Sequence, residues 1–177
     1  MLLRCRLVSL IVKHALRCQP FLLKATVMYS IAIALHAIAA AIWVGGMFFM
    51  VVVLRPSVMT LDPAARTPMM ATTMRKFFPW VWMAVVILLV TGYLLVGAFG
   101  GFGSVPGYVH IMHLLGWVMI GLFAFMYFKP NKAFRSAVES GNTEVAVRSL
   151  KTVRMIVTVN LVLGLGLFAI VTGGRYS

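Results

Sequence analysis

Three histidines lie inside or at the edge of long apolar stretches, where polar side chains are scarce. Because a polar group at membrane depth is costly, each one is a candidate functional residue. At 1.5 Å per helical residue, His36 lies about 13 Å inside the first stretch. His110 and His113 open the third stretch and share one helix face, because three residues separate them. We therefore expect His36 and His113 to face each other at similar depth.

The residue types suit a soft metal or a haem. Imidazole and thioether groups bind copper, and paired imidazoles from facing helices hold haem iron. The predicted copper ligands are His36, His110, His113 and Met112. The haem alternative places iron between His36 and either His113 or His110. More sulfur is available from Met47, Met50 and Met119, although methionine more often fills an apolar core. The competing interpretation is a structural histidine that only hydrogen-bonds across a helix interface.

The other polar residues narrow the chemistry further. For Asn160, in the fourth apolar stretch, we favour an interhelical hydrogen bond over a contact with a bound substrate or haem propionate. The three carboxylates of the chain, Asp62, Glu139 and Glu144, all lie in loops. No acid–base pair is therefore expected inside the membrane, and the pattern leans away from an enzyme. A stripe of small residues, Ala37, Ala41 and Gly45, predicts close packing of the first helix.

Composition assigns the chain to the membrane. Hydrophobic residues make up 62% of its 177 residues and charged residues 11%, and the mean hydropathy is +1.01. A soluble domain has about a quarter of its residues charged, so lipid must surround much of this chain. The net charge of +13 does not indicate nucleic-acid binding, because the basic residues cluster at the ends of apolar runs, as membrane topology requires.

Four stretches are long enough to span a bilayer, at about 27–54, 78–99, 108–128 and 153–171, since a span needs roughly 20 residues. The predicted fold is an all-α, four-helix transmembrane bundle. Arg55-Pro56 is expected to end the first helix, and Pro79 to lie in the first turn of the second. A short helix is predicted to begin at Asp62-Pro63, and Asn142-Thr143 is predicted to cap a helix that continues into the fourth span.

Loop charge predicts the orientation. Loops 55–77 and 129–152 are rich in Lys and Arg, whereas loop 100–107 carries no charge. The positive-inside rule therefore places the first two in the cytoplasm and the third in the periplasm of a bacterial inner membrane. Residues 1–27 form a separate basic extension that conflicts with this orientation. We interpret it either as an interfacial helix or, with slight preference, as an over-extended start of a chain whose native Met is Met28.

A series of short motifs runs in order through residues 28–177. They are Leu35-His36, Trp43-Val44-Gly45-Gly46-Met47, Leu54-Arg55-Pro56, Phe77-Phe78-Pro79-Trp80, Thr91-Gly92-Tyr93, Tyr108-Val109-His110, Leu115-Gly116-Trp117, Asn160-Leu161 and Gly173-Gly174-Arg175-Tyr176. In these motifs the chain resembles CopD-like bacterial membrane proteins, which carry a copper resistance protein D domain. Its layout is also similar to HemJ, a small haem-binding membrane protein linked to protoporphyrinogen oxidation.

The resemblance to CopD implies copper uptake or resistance at the inner membrane, alongside a periplasmic copper carrier. Similarity to HemJ implies that His36 ligates haem, because its place matches that family's first-helix histidine. HemJ also has a functional lysine where this chain has Met112, so protoporphyrinogen oxidation is not implied. Copper handling is the leading hypothesis. The alternatives are a haem b redox or electron-transfer protein with a redox partner, and a non-catalytic scaffold. Homo-oligomerisation stays open.

Overall fold

The computed structural model describes residues 26–174, which are almost entirely helical. The helices are α1 (Thr26–Met59), α2 (Pro63–Ala98), α3 (Gly107–Phe128), α4 (Pro130–Glu139) and α5 (Thr143–Gly174), with a short 3₁₀ turn at Phe102–Ser104. The predicted basic extension, residues 1–27, lies outside the described residues apart from its last two. Its two interpretations therefore stay predictions.

Four segments are long and apolar enough to cross a membrane. They are α1, α2, α5 and the segment Gly107–Glu139, which joins α3 to α4. Residues 26–174 contain no strand. The predicted all-α fold of four transmembrane helices is thus confirmed. Each helix buries one stripe of side chains against the others and leaves large apolar residues on its outer surface, as a helix solvated by lipid does.

The prediction that Arg55-Pro56 ends the first helix is wrong. α1 continues to Met59 through a π-helical turn at Phe49–Leu54. At the end of this turn the Arg55 N–H donates to the carbonyl of Met50, five residues earlier. Pro56 has no N–H, and its ring crowds the carbonyl four residues before it. The wider turn, with its longer hydrogen-bond spacing, keeps the helix continuous at the proline.

The second helix is also longer than predicted. The helix capped at Asp62-Pro63 and the span expected from Phe78 form one helix of 36 residues, with Pro68 and Pro79 inside it. Pro79 is therefore not in a first turn. A proline removes one backbone hydrogen bond, but most helical stability comes from packing. The buried Phe78 and Val81 beside Pro79 supply that packing.

The connection between α3 and α5 follows the sequence expectations closely. α3 ends at Phe128, and Lys129 leaves helical geometry before Pro130 opens α4. The Val145 N–H donates to the Oδ1 of Asn142 at 3.1 Å, which is the predicted cap at the start of α5. Phe134 of α4 is completely buried. α4 therefore closes one end of the bundle.

The small-residue stripe on α1 does not make the close helix contact that was predicted. Gly45 is exposed and has no atom within 4 Å of the place its Cβ would occupy. Close approach occurs at two other glycines. A Cβ on Gly46 would collide with the Phe77 ring, and one on Gly164 would lie 2.8 Å from Cγ2 of Val44. The error is one of helix phase, because Gly46 and not Gly45 faces the bundle.

The two ends of the bundle differ in packing. We call the end at residues 55–62 and 129–142 the basic end, and the end at loop 99–106 the glycine-loop end. Towards the basic end, Phe123 lies 5.2, 5.8 and 6.1 Å from the ring centroids of Trp82, Phe78 and Trp43. Towards the glycine-loop end, α3 has no buried residue before Met119. The space left there forms a cavity.

Candidate functional site

A cavity of about 340 Å³ opens between α1, α2, α3 and α5 towards the glycine-loop end. Its walls are mainly apolar. The exceptions are His36 of α1, Tyr93 of α2 and His113 of α3. Met112 adds a thioether to the same wall. An apolar cavity with a few convergent polar groups is the usual form of a ligand site, and the volume lies near the lower limit for such sites.

His36 is held by a hydrogen bond to α2. Its Nδ1 lies 2.8 Å from Oγ1 of Thr91, and Thr91 itself is buried. The Thr91 hydroxyl donates its proton to the carbonyl of Ile87 at 2.6 Å. The imidazole is therefore anchored to one turn of α2.

This arrangement selects one tautomer of His36. A threonine hydroxyl has a single proton, and in Thr91 that proton bonds the Ile87 carbonyl. The Thr91 oxygen must then accept, so Nδ1 of His36 carries the hydrogen and donates it. Nε2, at the opposite edge of the ring, keeps its lone pair. A metal-binding histidine is commonly oriented in this way, with its second ring nitrogen donating to a fixed acceptor.

Gly92 brings α2 close to the same imidazole. A Cβ on Gly92 would lie 3.4 Å from Cε1 of His36, which is already van der Waals contact. Any larger side chain at this position would press against the ring. The Thr91-Gly92 pair therefore gives the ring both its hydrogen-bond acceptor and the space that it occupies.

His113 lies among aromatic rings. Its ring centroid is 4.9 Å from that of Phe102, 5.5 Å from Tyr93 and 6.4 Å from Trp117. Phe102 reaches this position because Gly100 and Gly101, both at positive φ, turn the loop back over the bundle. Positive φ is accessible to glycine without strain. The aromatic rings restrict the orientation of the imidazole, which is half-buried.

The other predicted site residues lie elsewhere. His110 is exposed, and it contacts Phe102 but does not line the cavity. Asn160 is buried deeper in the bundle, where its Nδ2 donates to the carbonyl of Met119 at 3.1 Å. This is the expected interhelical hydrogen bond. Of the residues proposed from sequence, four line the cavity: His36, Met112, His113 and Met119. His110, Asn160, Met47 and Met50 do not.

The donors of the cavity favour soft metals over hard ones. Two imidazoles and two thioethers, those of Met112 and Met119, line it, and it has no carboxylate. Mg²⁺ and Ca²⁺ require oxygen ligands, whereas imidazole and thioether suit copper. Within residues 26–174, no three His, Cys, Asp or Glu side chains gather in one place. A metal in this cavity would therefore depend on a thioether as well as on the imidazoles.

Sequence reasoning missed Thr91 and Phe102. Thr91 has a signal that was available, because a hydroxyl in the middle of an apolar span needs a partner, and His36 was the obvious candidate. Phe102 has none. Its contact with His113 depends on the two left-handed glycines of the loop, and the letters of the sequence do not reveal the path of that loop.

Comparison with models of known protein families identifies the family of this chain. The model of the copper resistance protein D (CopD) family matches residues 71–173, which is more than half of the chain. The protein belongs to the CopD family. It is thus a multi-pass membrane protein of a family named for copper resistance. Comparisons with curated proteins and with solved structures find no match.

The family match covers one part of the cavity and leaves out another. Thr91, Met112 and His113 lie within the matched residues. α1 and His36 precede them, so the place of His36 rests on the structure of this chain. In this CopD-family protein the two imidazoles of the cavity therefore come from different parts of the chain. His36 lies outside the matched residues and His113 lies within them. The similarity in layout to HemJ stays a prediction.

Proposed function

We propose that this CopD-family protein handles copper in the inner membrane and binds it as cargo in the histidine-lined cavity. The observation that carries the proposal is that His36, Met112 and His113 line one cavity. The anchoring of His36 to Thr91 supports it further, because it leaves the Nε2 lone pair for a ligand. The family description is consistent with copper as the cargo.

The chemistry of the donors favours the reduced ion. Thioether ligands select Cu(I) among the metals available to proteins. All three donors are neutral when His36 and His113 are unprotonated, so a monovalent ion requires less charge compensation than a divalent one in an apolar wall. Copper bound in the cavity would exchange its water ligands for these side chains, because the lipid-facing surfaces of the helices offer no ligands.

The orientation of the protein determines the side from which copper enters. We infer from loop charge that loops 55–77 and 129–152 face the cytoplasm and that loop 100–107 faces the periplasm. The cavity then opens in the outer half of the membrane, and a periplasmic copper carrier or a redox partner would meet the protein at the glycine-loop end. Reactivity of single cysteines placed at Ser104 and Ser140 towards a membrane-impermeant thiol reagent tests this orientation in cells.

The cellular test uses histidine variants with a matched control. We expect His36→Ala and His113→Ala each to change the copper content and copper tolerance of cells that express the protein. His110→Ala is the control, because His110 lies outside the cavity on the same helix as His113, and it should behave as the unmodified protein. Equal copper content in all four strains at equal expression would contradict the proposal.

Haem b binding is the second candidate function. It is favoured by the presence of two imidazoles on different helices in one cavity, which is the arrangement of a bis-histidine haem. Haem there would supply one-electron transfer. An optical spectrum of the purified protein, oxidised and then reduced with dithionite, tests it. A Soret band that His36→Ala bleaches and His110→Ala retains would support haem, and a colourless protein from haem-replete cells would reject it.

The scaffold interpretation has its own signature. If the histidines only pack, His36→Ala should lower stability while copper content, copper tolerance and colour stay unchanged. The same variants therefore separate the three functions.

A further inference from the structure

A second, smaller void lies deeper in the bundle. Its volume is about 10 Å³, and its walls include Met47 and Met50 of α1, Met126 of α3 and Asn160 of α5. By helix rise, Met47 lies about 16 Å beyond His36 along α1, towards the basic end. A void of this size is close to the smallest that holds a single water molecule. It therefore has room for one small ligand such as a single ion.

Three thioethers converge on this void from two helices. Met47, Met50 and Met126 are 3%, 7% and 2% exposed, so none of the three is a surface residue. Met47 and Met50 share a face of α1 because three residues separate them. Methionine often only fills irregular space. Here three methionines and one asparagine line the same ion-sized void, which brings three soft donors and one amide oxygen to one place.

That amide oxygen is Oδ1 of Asn160. The Asn160 side chain is 2% exposed, and its Nδ2 is fixed by the hydrogen bond to the Met119 carbonyl. Asn160 lines the void, and its buried Oδ1 has no hydrogen-bond donor among the described residues. Buried oxygen atoms nearly always have a partner. A ligand in this void that is positively charged or donates a proton would satisfy it.

We propose that Met47, Met50, Met126 and Asn160 form a second copper site, which holds a single Cu(I) ion in the packed half of the bundle. Neutral thioether sulfur selects Cu(I), and the amide oxygen supplies a fourth, neutral donor. The site rests on the proposed function for the identity of the ion, and it adds a deeper position behind the histidine-lined cavity. Trp43 lines both spaces and forms the wall between them.

Variants that preserve side-chain volume test the site. Leucine replaces methionine with little change in volume, so Met47→Leu/Met126→Leu removes two sulfurs and keeps the packing. Met70→Leu/Met74→Leu is the matched control, because these two buried methionines of α2 do not line the void. The full chain in detergent is titrated with Cu(I) against a chromophoric Cu(I) chelator. The unmodified protein and the control should bind two ions, and Met47→Leu/Met126→Leu should bind one.

Asn160→Leu removes the oxygen while the three sulfurs stay. It should weaken the deeper site by about tenfold and leave the affinity of the cavity unchanged. A second measurement identifies the ligand atoms. His36→Ala/His113→Ala removes both imidazoles, and X-ray absorption at the copper edge should then show sulfur neighbours around the one ion that remains. Adding Met47→Leu/Met126→Leu should remove that ion, whereas an ion held by Met112 or Met119 of the cavity would stay.

The outcomes separate this site from the proposed function. If only the histidine variant loses an ion, and Met47→Leu/Met126→Leu binds as much Cu(I) as the control, the deeper site is rejected and the void holds at most a water. If only the methionine variant loses an ion, the deeper site is supported and the cavity is rejected as a copper site. Copper without sulfur neighbours in His36→Ala/His113→Ala would also overturn the proposal.

Discussion

The two ends of the bundle are made from similar apolar residues but are packed in opposite ways. Towards the basic end, the rings of Trp43, Phe78, Trp82 and Phe123 interlock, and α4 closes the core with the fully buried Phe134. Towards the glycine-loop end, the helices leave a cavity of about 340 Å³ between them. Hydropathy therefore does not distinguish a tightly packed core from a cavity in a membrane protein.

The reason lies in the driving force for helix packing. Lipid is as apolar as the helix surfaces, so close packing and polar contacts hold the helices together. The basic end obtains its stability from ring packing. The glycine-loop end has less packing, and its helices are joined there by polar contacts such as the His36–Thr91 hydrogen bond. Changes at the two ends should therefore affect different properties.

The largest expected effect is on stability at the basic end. Phe123→Ala should lower the free energy of unfolding by about 3 to 5 kcal/mol, the range for a buried phenylalanine, because Phe123 contacts four aromatic rings. Phe102→Ala at the glycine-loop end should lower the free energy of unfolding by about 1 kcal/mol, because the substitution removes only aromatic ring contacts, which contribute about that much. Denaturant titration in mixed micelles measures both. Equal losses would show that the two ends are packed alike.

Two glycines, Gly46 in the packed core and Gly116 at the cavity, test the same difference in packing. A side chain on Gly46 meets the Phe77 ring, whereas Gly116 borders the cavity with no atom within 4 Å of its Cβ position. Gly46→Leu should therefore lower stability by about 1 to 3 kcal/mol, as overpacking does. Gly116→Leu should leave stability within about 0.5 kcal/mol and weaken copper binding by filling the cavity. The opposite pattern would mean that the cavity wall carries the packing.

The hydrogen bond to His36 predicts an effect on affinity. Thr91→Val keeps the shape of the side chain but removes the acceptor for Nδ1, and it should weaken copper binding by about tenfold, the lower limit for loss of a partner that orients a metal ligand. Thr91→Ser keeps the hydroxyl and should bind like the unmodified protein. Chelator competition measures both affinities. Equal affinity in the two variants would show that the tautomer of His36 does not matter for binding.

The smallest expected effect comes from the cap of α5. Asn142→Ala removes the acceptor for the Val145 N–H and should lower stability by about 1 kcal/mol. Asn142→Asp keeps an acceptor and should lose much less. Neither change should alter copper binding, because the cap lies at the basic end, far from the cavity. Reduced copper binding in Asn142→Ala alone would indicate that the two ends are coupled.

The fold was largely predictable, because four long apolar stretches allow few other structures in a bilayer. The ends of α1 and α2 were not. Pro56 and Pro79 read as helix boundaries, but a π-helical turn and tertiary packing carry the helices past them. At the site, helix rise predicted that His36 and His113 lie near each other, and both line the cavity. The position of His110 outside the cavity could not be predicted from helix rise, because it depends on how α3 is rotated and on where the loop places Phe102.

The rotation of helices explains the remaining errors as well. Ala37, Ala41 and Gly45 share a face, but the sequence does not reveal that Ala37 borders the cavity whereas Ala41 and Gly45 are exposed. The same uncertainty concealed the void at Met47 and Met126, since a methionine on the outer surface and one in the core are identical in sequence. Polar partners such as His36 and Thr91 are needed to fix the rotation of a membrane helix about its own axis.

The most direct test of the central claim is a Cu(I) titration of the purified protein and its single histidine variants against a chromophoric chelator. We expect His36→Ala and His113→Ala each to weaken copper binding in the cavity by at least about tenfold, and His110→Ala to bind as the unmodified protein does. Equal Cu(I) affinity in all four proteins, with each one folded, would contradict the claim that the cavity binds copper.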